Sequence, residues 1–228
     1  MDGTWYTPVA KYQFVQAAVR SDGRALEFAG MFDQDVNIIL AALRQNGLAF
    51  QYVHSSHQND ISLQLAALGQ NAMALQFMNC ESLDITVIRF ALVGNPLAAE
   101  FTTDRVRRDT DMMKAAVEQN PLALKWVRTR AVTCDKELVL AAVKQVGSVL
   151  QYADASLQDD HQVVFAAVEQ DGMALEFVSQ RLRNWCDVVK DAVKQDGRAL
   201  QFASVRLQQD FECLLAMLTQ NGMMLQYL

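Results

Sequence analysis

Apolar and polar positions along this chain recur with a long period. Runs of about ten residues, apolar and rich in Ala, alternate with short polar joints and a second, briefer apolar stretch. Aligned on one joint residue, the copies fall at Gly23, Gly47, Ala72, Pro96, Pro121, Gly147, Gly172, Gly197 and Gly222, spaced 24 to 26 residues apart. Nine units fill positions 11–228 and leave an N-terminal extension of residues 1–10. A fixed period of this size marks a repeat architecture, whose units bury their apolar faces only by stacking on one another.

Each unit keeps one grammar. Asp opens it at Asp35, Asp60, Asp84, Asp109, Asp135, Asp160 and Asp210, while Lys11 and Trp185 stand in the other two. The apolar run that follows has Ala as its second small residue in every unit but the last, where Met217 replaces it. Ala-rich runs of ten residues predict helices, and Asp at the start caps the free first-turn N–H groups and suits the helix dipole. Gln closes the run in seven units: Gln45, Gln70, Gln119, Gln145, Gln170, Gln195 and Gln220.

The joint Asp-Gly raises the question of a hairpin turn, and the other copies answer it. A type I′ hairpin and a glycine C-cap both need positive φ, which Pro96 and Pro121 cannot adopt. Asp or Asn followed by Gly or Pro instead reads as the N-cap and first residue of a second, shorter helix. Gly is expected there as the flexible residue at an abrupt bend. The second helix carries a Leu-x-aromatic triplet whose aromatic never lapses, from Phe28 through Trp126 to Tyr227, and this column is expected in the core. Its spacer (Glu27, Gln51, Gln76, Glu100, Lys125, Gln151, Glu176, Gln201, Gln226) is expected at the surface, and Leu157, Leu182 and Leu207 plug the gap before the next unit. The expected fold is all-α: an α-solenoid of about nine two-helix repeats, forming one domain over 11–228, with a superhelical hand the pattern does not fix.

With this grammar in hand, the units resemble the repeats known as domain of unknown function 4116, whose pattern is similar to Asp-x-x-Val-Val-x-Ala-Ala-Val-x-Gln-Asn-Gly-x-Ala-Leu-x-Tyr-Ala-Ser-x-x-Leu. The best copies are Asp160 to Leu182 and Val188 to Leu207; units three to five depart most, through Ala72, Pro96, Pro121 and Ala99. The resemblance implies a repeat fold and carries no catalytic residues to transfer. It also implies, as an alternative, an effector-like repeat module working beside a catalytic partner.

Composition narrows the chemistry. The chain is 51% hydrophobic and 20% charged with net charge −6, which disfavours disorder and general binding to nucleic acid or anionic membrane. No apolar run has the length of a membrane span, and no secretory signal precedes the first unit, so a cytoplasmic location is expected. The scattered cysteines Cys80, Cys134, Cys186 and Cys213 are expected as structural thiols rather than a disulfide framework. His54, His57 and Asp60 have a ligand-like spacing, yet Asp60 already serves as a cap, and no metal, cofactor or catalytic residue is expected.

Two features point to partners. Inter-repeat loops carry Arg105, Arg107, Arg108, Arg128, Arg130, Arg181, Arg183 and Arg206, which stacking would align as a basic edge suited to an acidic protein or, as a weaker alternative, an RNA backbone. The last unit is apolar where a terminal repeat is normally polar, with Leu214, Leu218, Met223, Met224, Tyr227 and Leu228; Trp5 and Tyr6 offer a second apolar end. A non-enzymatic protein-binding scaffold within a larger assembly is the expected function, with self-association as one form of docking.

Overall fold

The computed structural model describes residues 7–220 and residue 222. Among these the chain is all helical, without a strand. By internal contacts it divides into two compact units, residues 1–103 and 104–228. The long helices are α1 (Pro8–Ser21), α2 (Val36–Gln45), α3 (Ile61–Gln70), α4 (Ile85–Gly94), α5 (Thr110–Gln119), α6 (Lys136–Gln145), α7 (His161–Gln170), α8 (Cys186–Gln195) and α9 (Phe211–Gln220). Helix α1 begins three residues before Lys11, because Thr7 caps it by accepting from the Ala10 N–H and Pro8 suits its first turn.

In the first unit α1 packs on α2, α2 on α3 and α3 on α4; in the second, α5 to α9 pack in the same sequential manner. The helices bury a stripe at fixed register, such as Ile38, Ile39, Ala42 and Leu43 in α2 or Val163, Val164, Ala167 and Val168 in α7. Burying each Val, Leu or Ile contributes about 1.5–3 kcal/mol, and Ala at the third of these positions lets neighbouring helices approach closely.

The expected caps are present. Asp35, Asp60 and Asp160 each accept from two first-turn amides, and Asp84, Asp109, Asp135 and Asp210 from one. Trp185 gives α8 no such bond.

Among the described residues the second helix of each unit, from Gly23–Phe28 to Gly197–Phe202, is a six-residue 3₁₀ turn rather than a short α-helix. Asp or Asn at the joint works for both elements. In Asp171 the backbone N–H donates to Ala167 O and closes α7, while the side chain accepts from the Met173 N–H. With three residues per turn, positions three apart share a face. Gly172, Leu175 and Val178 are all buried, and the aromatic Phe177 falls on the flank. The aromatics are therefore not core, contrary to expectation. Tyr52, Phe77, Phe101, Trp126, Tyr152, Phe177 and Phe202 are half-buried, and Phe28 is 80% exposed.

The joint glycines lack positive φ, as the helix-start reading expects; among the described residues only Gly30, outside the joint, has it. The reason for glycine differs from the expected flexibility: at Gly23, Gly47, Gly147 and Gly172 the next repeat comes too close for a side chain. A Cβ on Gly23 would sit 2.5 Å from Ala42 O, and one on Gly147 2.5 Å from Ala167 O. The recurring Gln explains itself at the same contact. Gln45 Oε1 accepts from the Gly23 N–H at 2.6 Å, Gln70 and Gln170 do the same for Gly47 and Gly147, and Gln45 Nε2 also donates to Ser21 O. A 3₁₀ turn has an unpaired first N–H, and these glutamines satisfy it from the following repeat.

The cysteine expectation is overturned in part. Cys186 and Cys213 form a disulfide with Cα atoms 6.3 Å apart, joining α8 to α9; Cys80 and Cys134 are not disulfide-bonded. The pair lies in neighbouring repeats, one period plus two residues apart, so only stacking brings the two sulfurs together.

Candidate interaction surface

The short segments between repeats in the second unit stack in register. Each is tied to the previous one by a single backbone bond: Arg128 N–H to Arg107 O, Asp154 N–H to Thr133 O, Ser179 N–H to Gln158 O and Ser204 N–H to Arg183 O, at 2.8–3.0 Å. This ladder places the loop arginines along one edge, yet it does not leave them equivalent.

Arg130 reaches the next loop and pairs with Asp154 at 2.9 Å, and Arg181 pairs with Asp159 at 3.0 Å. Both carboxylates are held below the usual carboxylate range: Asp154 by the Ser156 N–H and hydroxyl and by Arg130, Asp159 by the Ser179 hydroxyl and Arg181. Arg107 and Arg183 occupy the position where Gln58, Gln158 and Gln208 send side-chain amides to the carbonyls ending the 3₁₀ turn. Both are half-buried, and the buried Nε of Arg183 has no hydrogen-bond partner among the described residues. These four arginines are largely committed to the fold.

Arg105, Arg108, Arg128 and Arg206 are exposed. Arg206 stands with Gln180, Arg181, Asn184 and Ser204 around an open cleft of about 540 Å³. The other three lie where cations are densest, on the helical turn Asp104–Arg107 and its neighbour loop. Arg108 lies 3.9 Å from Asp104, as does Arg107, separations at which exposed pairs bind weakly. Arg128 Nη1 donates to the carbonyls of Lys125 and Val127. Trp126 anchors the patch, with the Lys125 ammonium 4.6 Å and the Arg107 guanidinium 5.6 Å from its ring centroid.

The sequence reading left Lys125 and Trp126 out of this patch. Their signal lay in their columns: Lys125 is the one cation among spacers that are otherwise Gln or Glu, and Trp126 the one Trp among the aromatics.

On the apolar end, Leu214 and Leu218 are half-buried on α9. Met223, Met224, Tyr227, Leu228, Trp5 and Tyr6 lie outside the described residues. The His54 ring bonds Ser56 at 2.8 Å, His57 takes a plug position, and Asp60 caps α3. No cluster of metal-ligating side chains occurs among the described residues, and no helix among them is long and apolar enough to cross a membrane.

The model of the domain of unknown function DUF4116 matches residues 35–83, 135–183 and 186–228, more than half of the chain. The chain belongs to this family. Its three matches coincide with structural repeats: the first two each run from an Asp cap through two repeats, and the third begins with α8. The segment 84–134 lies between them and holds both joint prolines and the whole Arg105–Arg130 patch. No curated protein and no solved structure matches the chain.

Proposed function

We propose that this DUF4116 protein is a non-enzymatic α-solenoid scaffold that binds an acidic segment of a partner protein. The docking site is the basic patch of residues 104–108 and 125–130. The observation that carries this reading is the concentration of the exposed Arg105, Arg108, Lys125 and Arg128 on two loops joined by one backbone bond, around a half-buried Trp126. Arg130 is spent on Asp154, and Arg108 pairs only weakly with Asp104 at 3.9 Å. On a chain of net charge −6 such a patch is a local reversal of sign, which steers carboxylates towards it. Trp126 adds an apolar anchor of the kind that concentrates binding energy.

Sequential stacking within each unit supports the solenoid, since repeats of this size expose extended surfaces built from equivalent loops. The conserved elements of the repeat are spent on capping, close approach and core, so the positions that vary carry recognition.

The test is fluorescence anisotropy with a labelled Glu-rich peptide containing one aromatic residue, against the full chain and an Arg105→Ala/Arg108→Ala/Arg128→Ala variant. These exposed side chains make few contacts, so the variant retains its fold. Binding that weakens about tenfold or more in the variant supports the proposal. Equal binding by both proteins overturns it, as does tighter binding to single-stranded RNA with a steep salt dependence, which would transfer the patch to an RNA backbone.

A further inference from the structure

We propose that the Cys186–Cys213 disulfide is a redox latch that holds helix α9 on α8. Three departures from the repeat grammar meet at this joint. Cys186 is the first residue of its helix, where other repeats place Val36, Lys136 or His161; Cys213 takes the buried third position held elsewhere by Leu63, Val163 or Val188. Trp185, which precedes Cys186, replaces the Asp cap and makes no capping bond. The joint that has lost its cap is thus the one that has gained a covalent link.

The placement suits a switch. Helix α9 packs on α8, and the disulfide closes a separation of 27 residues between them. Helix α8, to which the latch ties α9, buries Val188, Val189, Ala192 and Val193.

The chemistry is also directional. Cys213 is only 5% exposed, whereas Cys186 is half-buried, so an incoming thiolate reaches Cys186 Sγ. It forms a mixed disulfide there and displaces the Cys213 thiolate, which takes up a proton. With a dithiol reductant, the second thiol then attacks its own sulfur in the mixed disulfide and expels the Cys186 thiolate. The first turn of α8 stabilises that anion through its free amides. Two electrons pass from the dithiol to the protein disulfide, leaving two protein thiols and an oxidised reductant. Glutathione disulfide, or an oxidant of that class, drives the reverse.

This latch is independent of the basic patch and stands or falls without it. The full chain is oxidised with glutathione disulfide or reduced with dithiothreitol, and thiols are counted under denaturing conditions by maleimide mass-tagging. Amide exchange is then followed by mass spectrometry. We expect two tagged thiols in the oxidised chain and four in the reduced one. Exchange in residues 213–219 should accelerate on reduction by about ten- to a hundredfold while α7 is unchanged. Cys213→Val, which restores the apolar residue of the repeat, should keep α9 packed and abolish the response to reductant. Four tagged thiols after oxidation, or equal exchange of α9 in both states, overturns the latch.

Discussion

Replacing Gly147 by Ala separates two physical accounts of the joint glycine. Gly147 has negative φ, so if the residue were there for flexibility alone, Ala would stabilise the fold by about 0.4–1 kcal/mol through the unfolded chain. The packing predicts the opposite sign. A Cβ at Gly147 would lie 2.5 Å from Ala167 O, 2.9 Å from Asp171 Cβ and 3.0 Å from Gln170 Oε1, against ordinary contact at 3.4 Å or more. The carbonyl belongs to helix backbone and cannot rotate aside, so α7 must retreat by most of an ångström. Such overpacking costs about 1–3 kcal/mol, and loosening the Gln170 bond to the Gly147 N–H adds about 0.5–1.5. After the unfolded-state gain, the net loss is about 2–3 kcal/mol, or a fall in Tm of roughly 5–10 °C. Thermal unfolding by circular dichroism measures it. Gly30→Ala is the control, with φ of +56° and open space around it, and should cost about 1 kcal/mol from backbone strain alone. An unchanged or raised Tm for Gly147→Ala refutes the close-approach account. Where the joint residue is Ala72, the next helix ends in Gly94, which has no side chain to take the place of the Gln amide.

Other perturbations probe other parts of the repeat. Leu182→Ala, at a fully buried plug, should cost about 2–5 kcal/mol by denaturant midpoint at constant slope. Asp160→Ala removes the cap of α7 together with the Lys136 ion pair at 2.7 Å, and should cost about 1–2 kcal/mol in the same assay; Asp160→Asn should recover most of it. Acid should unfold the chain cooperatively. Burial opposes ionisation of Asp160, but the Lys136 ammonium and the Val163 and Gln162 amides overcome it; Asp60, Asp84 and Asp196 are likewise held low by their hydrogen-bond donors. Carboxylates with depressed folded-state values stabilise above their unfolded pKa, so Tm should be flat from about pH 5 to 8 and fall below about pH 4. A Tm that rises on acidification would contradict this.

Much of the candidate surface was legible as a list of arginines, but not as a ranking. Arg130 and Arg181 read the same as Arg105 in sequence, and only the loop ladder shows that the first two reach a carboxylate on a neighbouring loop. Arg107 and Arg183 could have been separated earlier, since they stand in register with Gln58, Gln158 and Gln208, a position whose amide serves the preceding 3₁₀ turn.

What the sequence determined by itself is everything encoded within one period: where helices start, because Asp or Asn precedes nearly all of them, where they end, and which residues form the stripe. These are local consequences of backbone hydrogen bonding and of apolar spacing, and they repeat because the unit repeats. What lies between periods was decided by the tertiary structure. The glycine is small because a carbonyl of the next repeat sits against it, and the Gln is retained because it reaches back to that glycine's N–H. The aromatics are half-exposed because a 3₁₀ turn sets them on its flank, and two cysteines 27 residues apart are bonded because stacking makes them neighbours. A single sequence records each side of such contacts separately, and only the packed repeats bring the two sides together.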